Sequence, residues 1–591
     1  MPDEQPSSVT TLTPITLNRR DAATAVALAI LVLFTGWLRM APGVCGSFHD
    51  DAIYVSTAEA LASGQGYRLI DVPGAPLQTK YPVLYPALLS AVWYLWPIFP
   101  ENLIAMQVLT LAFAAATSAL VYLYLVRFGY FSRSIAAAAG VVCATVPYFL
   151  YFAVQTMAEM PFALATVAAL WGVELLDLRR QTSKRGQFGW GMLLAVPFLC
   201  RSIGATIVVT SLWVLWRNGR PLRWVTAGAA CAAAPWVLWS LLGRGIWDSN
   251  PVDGYYTDYL GCWSSTGLAM VARVFSRNAV MIAHGSTELP LEGVSALVGP
   301  WLGRGYTFIV LAVLGLAPWL AMMPDLRKNR PLPWMLLGTL GAMLVWSWPP
   351  YRFVVPILPF VCAYLLQALA TALGALQPAT QRPFARVVAA AGLVVIVLAN
   401  AVLLGRHAQQ VHETGYPLAR LTDSRVDWSS YERTFAWVSD HSRPQDVMAA
   451  GLDSMVALYT GRPAFRPFVY NPGRLFYGDA AADAELLEPE QLATILQRYQ
   501  PRYLVRSPMP GFMEEHPLEK LLSEVRDRYP DWLEVVYQDA NPRFTVYRLD
   551  SRHAPGKVSP AEVRSPTTAT PQVLTGQTGD EGPSESSGAQ P

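Results

Sequence analysis

The sequence predicts a polytopic α-helical membrane protein of about eleven spans with a C-terminal soluble α/β extracytoplasmic domain. Three observations predict it. Hydrophobic residues make up 53% of the 591 and charged residues only 15%, against roughly 25% charged in an average soluble domain. Apolar runs of bilayer-spanning length recur from residue 22 to about residue 405. Beyond residue 425 the pattern changes to short helical and period-two segments. Twenty Trp and 26 Tyr supply the aromatic load that membrane interfaces favour. A net charge of +2 makes no electrostatic case for nucleic acid, and six Cys are too few for a disulfide framework.

Residues 1–18 are polar, carry Ser, Thr and Pro, and read as a disordered cytoplasmic N-terminus. Residues 19–405 form the membrane domain, with spans expected near 22–39, 103–126, 135–151, 159–177, 188–201, 203–217, 224–242, 305–323, 333–348, 353–374 and 386–405. Basic residues fall in alternate connections: Arg19 and Arg20, Arg127 with Arg133, Arg179 to Arg185, Arg217 to Arg223, Arg327 to Arg330, and Arg382 with Arg386. The positive-inside bias makes these connections cytoplasmic. The N-terminus is then inside. A first outer loop (41–102), a second (243–304) and everything after about 405 lie outside. The run YPVLYPALLSAVWYLWPIF, Tyr81 to Phe99, is expected to lie along the outer membrane surface, with Trp93 and Trp96 at headgroup level. Counting it as a span would put Arg127 outside and invert every later basic loop. The first apolar run is read as a span rather than a cleaved signal peptide, because the later spans need it as a first crossing.

Residues 425–550 carry the signals of a small α/β domain. Helices are expected at 431–441, 454–462, 490–499 and 518–529, strands at 446–452 and 502–507, and a closing hairpin in LEVVYQD and RFTVYRL. No Ser/His/Asp or Cys/His cluster in this region marks it as catalytic. Residues 551–591, rich in Ser, Pro, Thr and Gly, form a disordered tail. Cys45 and Cys262 fall in outer loops, where an oxidising compartment permits a bridge between them. Cys143, Cys200, Cys231 and Cys362 sit in spans as small apolar packing residues.

Charges near membrane depth are costly and need a reason. Asp50 and Asp51 stand side by side at the head of a short helix in the first outer loop. One Asp is explained as a helix cap. A second costs repulsion and raises the proton affinity of one of the pair, which is a way to build a carboxylate base. Lys80 opens the surface-lying run, where it either snorkels or meets a lipid phosphate. Glu159 begins a span at its outer end, just before Pro161, as a helix-start acid or as a second acid facing Asp50. Arg201 sits at the apex of a tight, shallow helical hairpin, and Arg352 at the outer end of the span 353–374. Outer arginines run against the positive-inside bias, and guanidinium forks suit phosphate. Carboxylates and phosphate-binding cations on one membrane face suit transfer between a membrane-borne phosphate ester and a hydroxyl. The phosphate leaves as a stable anion, so only the acceptor needs a base.

The stretch DDAIYVSTAEALASGQGY, followed by KYP, resembles the first outer loop of GT-C fold membrane glycosyltransferases. Similarity is greatest to the lipid A aminoarabinose transferases and the protein mannosyltransferase-like enzymes. It covers roughly residues 20–405 and, more loosely, the outer domain. The resemblance implies an acidic-acidic-x-x-Tyr motif at Asp50, Asp51 and Tyr54, with Asp50 as the base. It implies a carrier-phosphate site at Lys80, beside Tyr81 and Pro82, and matches an acid-plus-Pro element at Glu159, a hairpin basic residue at Arg201 and an Arg-aromatic-x-x-Pro element at Arg352. Asp51 stands where the family has Glu, and Tyr81 interrupts its paired prolines. Some relatives use a divalent metal ion and others none, so cofactor use stays open, and His49 beside Asp50 reads as incidental.

The resemblance implies an inverting glycosyltransferase of the cytoplasmic membrane. Its donor is a polyprenyl-phosphate-linked hexose or pentose, and its acceptor a lipid, glycan or protein hydroxyl on the outer face, as in cell-envelope glycosylation. A lipid-linked sugar flippase or transporter is the alternative class. Transporters place charges near the bilayer midplane and carry internal repeats, whereas these charges lie at outer helix ends and no repeat is visible. A non-catalytic scaffold would not need Asp50, Lys80 and Arg201 together.

Overall fold

The computed structural model describes residues 14–178, 183–243, 268–375, 382–421, 423, 425–467, 489–509 and 516–550. Helix α1 (Arg19–Arg39) begins with a reciprocal cap, in which Asn18 Oδ1 accepts from the Asp21 N–H and Asp21 Oδ2 from the Asn18 N–H. The first loop then carries α2 (Asp50–Ala62) and α3 (Leu84–Leu95). The bundle continues with α4 (Leu103–Arg127), α5 (Arg133–Cys143), α6 (Pro147–Val154), α7 (Glu159–Leu178), α8 (Lys184–Cys200), α9 (Ala205–Arg217) and α10 (Arg223–Leu242).

Every apolar run expected to span is helical, but seven described helices, not eleven, are long and apolar enough to cross a membrane. They are Arg19–Arg39, Leu103–Arg127, Glu159–Leu178, Arg223–Leu242, Arg304–Arg327, Tyr351–Ala375 and Val387–Thr414. The shortfall has physical causes. The run 135–151 is broken: α5 and α6 meet at 69°. Pro147 has no N–H to continue α5, and instead starts α6 at a position where none is needed. Helix α9 has 13 residues and Pro331–Val345 has 15, so each rises no more than about 23 Å against an apolar layer of about 30 Å. Helix α8, at 17 residues with Gly186, Gly189 and Gly191 in its length, is also short. The molecule is a multi-pass membrane protein with a smaller set of full-length spans than the hydropathy pattern implies.

Three further expectations change. The stretch 243–304, read as a loop, contains the helices Leu268–Glu288 and Glu292–Leu302. Trp247, Tyr255, Tyr256, Tyr259 and Trp263, aromatics suited either to shaping an acceptor site or to interfacial anchoring, lie outside the described residues, as does Cys262. The last apolar helix, Arg382–Thr414, runs past residue 405. Helix α3 is a separate 12-residue helix as expected, yet Trp93 is buried and stacked on Phe99 with centroids 6.1 Å apart. It lies on the Tyr85–Leu89–Trp93 stripe, spaced by four residues, that faces the protein. Tyr94, Leu95 and Trp96 are exposed.

The basic connections meet at one end of the bundle. Arg133 grips Asp21 with Nε and Nη2, Arg220 and Asn218 bond Asp177, and Arg330 reaches the Phe128 carbonyl. The acidic partners sit opposite the basic loops, so these ends are neutralised and tied together.

The α/β region holds a five-stranded sheet: β1 (Met448–Ala450), β2 (Ala464–Phe465), β3 (Tyr503–Arg506), β4 (Leu533–Gln538) and β5 (Thr545–Leu549), in the order β2-β1-β3-β5-β4. The first three strands run parallel, with helices intervening in sequence, and β4 and β5 form the expected antiparallel hairpin. Strand β2 has no counterpart in the sequence pattern, since two residues after a proline carry no periodicity. This region does not stand apart. Contacts tie the described residues up to Asp550 into one unit, and the core of the sheet includes Ala41, Val44, Ile53, Leu69 and Val72 from the first loop. The Asp71 carbonyl of the loop also accepts from the Ala464 N–H at the sheet edge (2.8 Å).

Candidate active site at the head of the first-loop helix

The site begins with a backbone turn. His49 precedes α2 with φ 68° and ψ −56°, a conformation costly for a residue with a Cβ. Asp50 and Asp51 follow it in the first turn of α2, where successive side chains point about 100° apart. Asp51 turns inward and is fully buried; it accepts from the backbone N–H groups of Gly46 (2.7 Å) and Phe48 (3.2 Å). It staples the loop that leads into the helix. Burial pushes its carboxyl up to about 6 against those two bonds, and the charge of Asp50 adds to the rise.

Asp50 stays at the edge of solvent. Its Oδ2 pairs with Arg352 Nη1 at 2.7 Å, and its Oδ1 accepts from the Tyr81 hydroxyl at 2.7 Å. Burial works to raise its pKa, but Arg352, His49 and Tyr81 together hold it down at about 2. Of the adjacent acids, Asp50 is thus held ionised and Asp51 is the one lifted.

Arg352 links Asp50 to Glu159. Its Nε donates to Glu159 Oε1, and Nη1 of Arg201 pairs with the same oxygen. Glu159 is fully buried, and its Oε2 has no hydrogen-bond partner among the described residues. Arg201 caps the end of α8, just before the 3-10 turn Ser202–Gly204 that leads into α9, and lies over the Phe353 ring at 5.2 Å. Four sequence-selected residues, drawn from the first loop, α7, the α8–α9 turn and the start of Tyr351–Ala375, therefore form one continuous carboxylate–guanidinium cluster.

Tyr54 packs edge-to-face on Tyr81 and on Tyr85, with both centroid separations 5.3 Å. This fixes the Tyr81 ring whose hydroxyl holds Asp50. Lys80 lies next door, its Nζ 5.6 Å from the Tyr81 centroid, and Gln78 Oε1 accepts from the backbone N–H of both Lys80 and Tyr81. Lys80 thus borders the cluster through Tyr81. Cys45 is a buried free thiol whose Sγ lies 3.4 Å from Thr156 Oγ1. Its proposed partner, Cys262, is outside the described residues.

Two groups of polar residues escaped the sequence reading. His49 Nε2 bonds Asp453 Oδ1 at 2.9 Å across 404 positions, a partnership that no local spacing signals. Arg420 pairs with Glu288 at 3.3 Å and lies over the rings of Tyr148 and Tyr351 at 5.3 and 5.0 Å. The available hint was Tyr351, adjacent to Arg352. A divalent cation fits the described donors poorly. Asp50 and Glu159 are each occupied by guanidinium groups, and no three His, Cys, Asp or Glu side chains converge among the described residues.

No protein-family model matches the sequence, and no curated protein does. Solved structures do match. ArnT from Cupriavidus metallidurans bound to undecaprenyl phosphate is 16% identical, covering 91% of this chain and 99% of that one at a TM-score of 0.48. The Archaeoglobus fulgidus oligosaccharyltransferase, tethered to an acceptor peptide, is 12% identical over 91% of this chain and 74% of that one, at a TM-score of 0.52. The arabinofuranosyltransferase AftD from Mycobacteria covers 91% of this chain and 40% of that one at 0.43. The fold of this chain is therefore the GT-C fold of membrane glycosyltransferases.

Proposed function

We propose that the protein is an inverting glycosyltransferase that moves a hexose or pentose from a polyprenyl-phosphate carrier to a hydroxyl acceptor on the outer face of the cytoplasmic membrane. The observation that carries this reading is the single cluster joining an ionised, solvent-edged Asp50 to Arg352, Glu159 and Arg201, on a fold used by sugar transferases. Asp50 accepts the acceptor's hydroxyl proton. The acceptor oxygen attacks the anomeric carbon, the carbon–oxygen bond to phosphate breaks, and its electron pair leaves with the phosphate. The proton then passes from Asp50 to solvent. A single displacement inverts the anomeric centre.

Lys80, Arg201 and Arg352 hold the carrier phosphate, which needs cations and no acid. Glu159 is the counter-anion that keeps the two guanidinium groups aligned before the donor arrives. Phosphate competing for Arg352 loosens its grip on Asp50 and raises that carboxylate's proton affinity, which moves a weak base toward working strength. Asp51 is assigned to shaping the loop, and no metal step is invoked. In this reading residues 19–405 with the α/β region 425–550 make one extracytoplasmically facing enzyme, and the N-terminus is cytoplasmic.

The test is mass spectrometry of surface glycans and lipids from a deletion strain complemented with wild type or with Asp50→Ala. A sugar present with wild type and missing from both other strains supports the reading and names the acceptor. Identical profiles in all three overturn it. Flux of labelled carrier lipid in proteoliposomes, unaffected by Asp50→Ala, would instead indicate a flippase.

A further inference from the structure

His49 is the residue in this site whose position is paid for most visibly. It is buried, it sits at φ 68° where a Cβ is strained, and its ring joins two parts of the chain. Nε2 bonds Asp453 Oδ1 at 2.9 Å, while Nδ1 faces Asp50 Oδ1 at 4.0 Å. Asp453 starts the helix Asp453–Thr460 of the α/β region and is itself fully buried. Arg466 supports it from behind: Nη2 lies 3.6 Å from Asp453 Oδ1 and Nε donates to the Gly451 carbonyl at 3.0 Å. The surrounding backbone is fixed as well. Tyr459 of the same helix donates its hydroxyl to Gly43 O and accepts from Cys45 N at 3.0 Å. A Cβ at Gly46 would stand 2.6 Å from Met455 Cβ, so the loop and this helix are in closest contact.

A strained backbone persists only where its surroundings over-determine it, and such strain gathers at functional sites. A plain loop anchor would need neither a buried imidazole nor an ion pair behind it. We propose that His49 is a positioning residue for Asp50, and that the α/β region, through Arg466, Asp453 and His49, sets the orientation and proton affinity of the carboxylate base. The inference rests on the glycosyl-transfer reading for its catalytic consequence, but the contact between imidazole and carboxylate can be tested without turnover. The groups facing His49 are Asp50 on α2 and Asp453, backed by Arg466, in the α/β region; Asp71 of the first loop acts on Asp453, and Arg352 acts on Asp50 from the far side.

The sign of the effect follows from charge. His49, whose Nδ1 lies 4.0 Å from Asp50 Oδ1, is among the groups that favour the ionised form of Asp50. Removing it must move Asp50's titration to higher pH. The experiment uses full-length protein carrying His49→Gln or His49→Gly; glycine accepts the positive φ, so the second variant keeps the backbone. Infrared difference titration follows the carboxyl band that Asp50→Asn abolishes. The expected result is a higher titration midpoint in both variants, and its return toward wild type when imidazole is added to His49→Gly. A midpoint equal to wild type in both variants overturns the proposal.

The kinetic arm uses undecaprenyl-phosphate-linked 4-amino-arabinose, mannose and arabinofuranose as donor probes. With whichever donor wild type turns over, kcat is expected to fall about 10–100-fold, with donor KM little changed and partial rescue by imidazole. Unchanged kcat, or a loss confined to KM, overturns it. Wild type inert toward every donor counts against the glycosyl-transfer reading, while the infrared midpoint still decides the role of His49.

Discussion

Arg352 holds two carboxylates at once, Asp50 through Nη1 and Glu159 through Nε. Removing a partner from a buried pair leaves an uncompensated charge, at a cost of about 3–5 kcal/mol. Arg352→Gln is therefore expected to lower the melting temperature in detergent as well as to weaken donor binding. Arg352→Lys, which keeps charge but loses the fork, is expected to retain more stability than donor affinity; equal melting of Arg352→Gln and wild type would contradict the pairing. Asp51 gives a pH prediction of definite sign. Its folded pKa of about 6 lies above the ordinary 3.8, so the folded state binds more protons between those values and loses stability as pH rises through that window. The total is on the order of 3 kcal/mol. The stability gap between wild type and Asp51→Asn, followed by melting from pH 4 to pH 7, should shift against wild type as pH rises. Asp50, Lys80, Glu159, Arg201 and Arg352 were legible because each is a charge in an apolar setting. Which acid is buried and which meets Arg352 was not, because tertiary packing around α2 decides it, and neither was Asp453, whose link to His49 is purely tertiary.

Helices α8 and α10 cross with almost no room between backbones. A Cβ at Gly191 would meet Val225 O at 2.0 Å, and one at Gly228 would meet Phe188 O at 2.0 Å. Small residues let membrane helices approach in this way, where no hydrophobic effect drives them together. Because α8 ends at Arg201, this crossing also sets the height of the guanidinium beside Glu159. Gly191→Val is expected to reduce the yield of folded protein sharply, read by size exclusion in detergent, and normal yield with normal activity would contradict that role. Hydropathy revealed these helices but not which of them are full-length. Length is lost at Pro147 and in the 13-residue α9, and an apolar average smooths over both. The closing hairpin was readable from its alternation, whereas β2 exists only because β1 and Asp71 offer it partners.

At the scale of the molecule, the first loop that carries the candidate site and the α/β region share a core, so the soluble-looking part is not an appendage. A chain ending before residue 425 would expose Ala41, Val44, Ile53, Leu69 and Val72. It is expected to be recovered poorly or without transfer activity; a well-folded, active truncation would contradict the shared core. Orientation is testable on intact cells with an impermeant maleimide. Arg548→Cys should be labelled from outside, and Lys184→Cys only after permeabilisation, both in a background with native cysteines replaced. The fold class and the site's cluster of charges came from the sequence because membrane depth makes each charge conspicuous. The union of the two regions did not, because their contact surface is ordinary apolar packing.

The most direct test of the central claim is transfer from a polyprenyl-phosphate-linked sugar by purified protein, comparing wild type with Asp50→Asn. Transfer with inversion at the anomeric carbon by wild type, and a fall of about 10²–10⁴-fold in Asp50→Asn assayed at a temperature where both proteins are folded, is the expected result. Wild-type turnover by Asp50→Asn, or retention of the anomeric configuration, would contradict it.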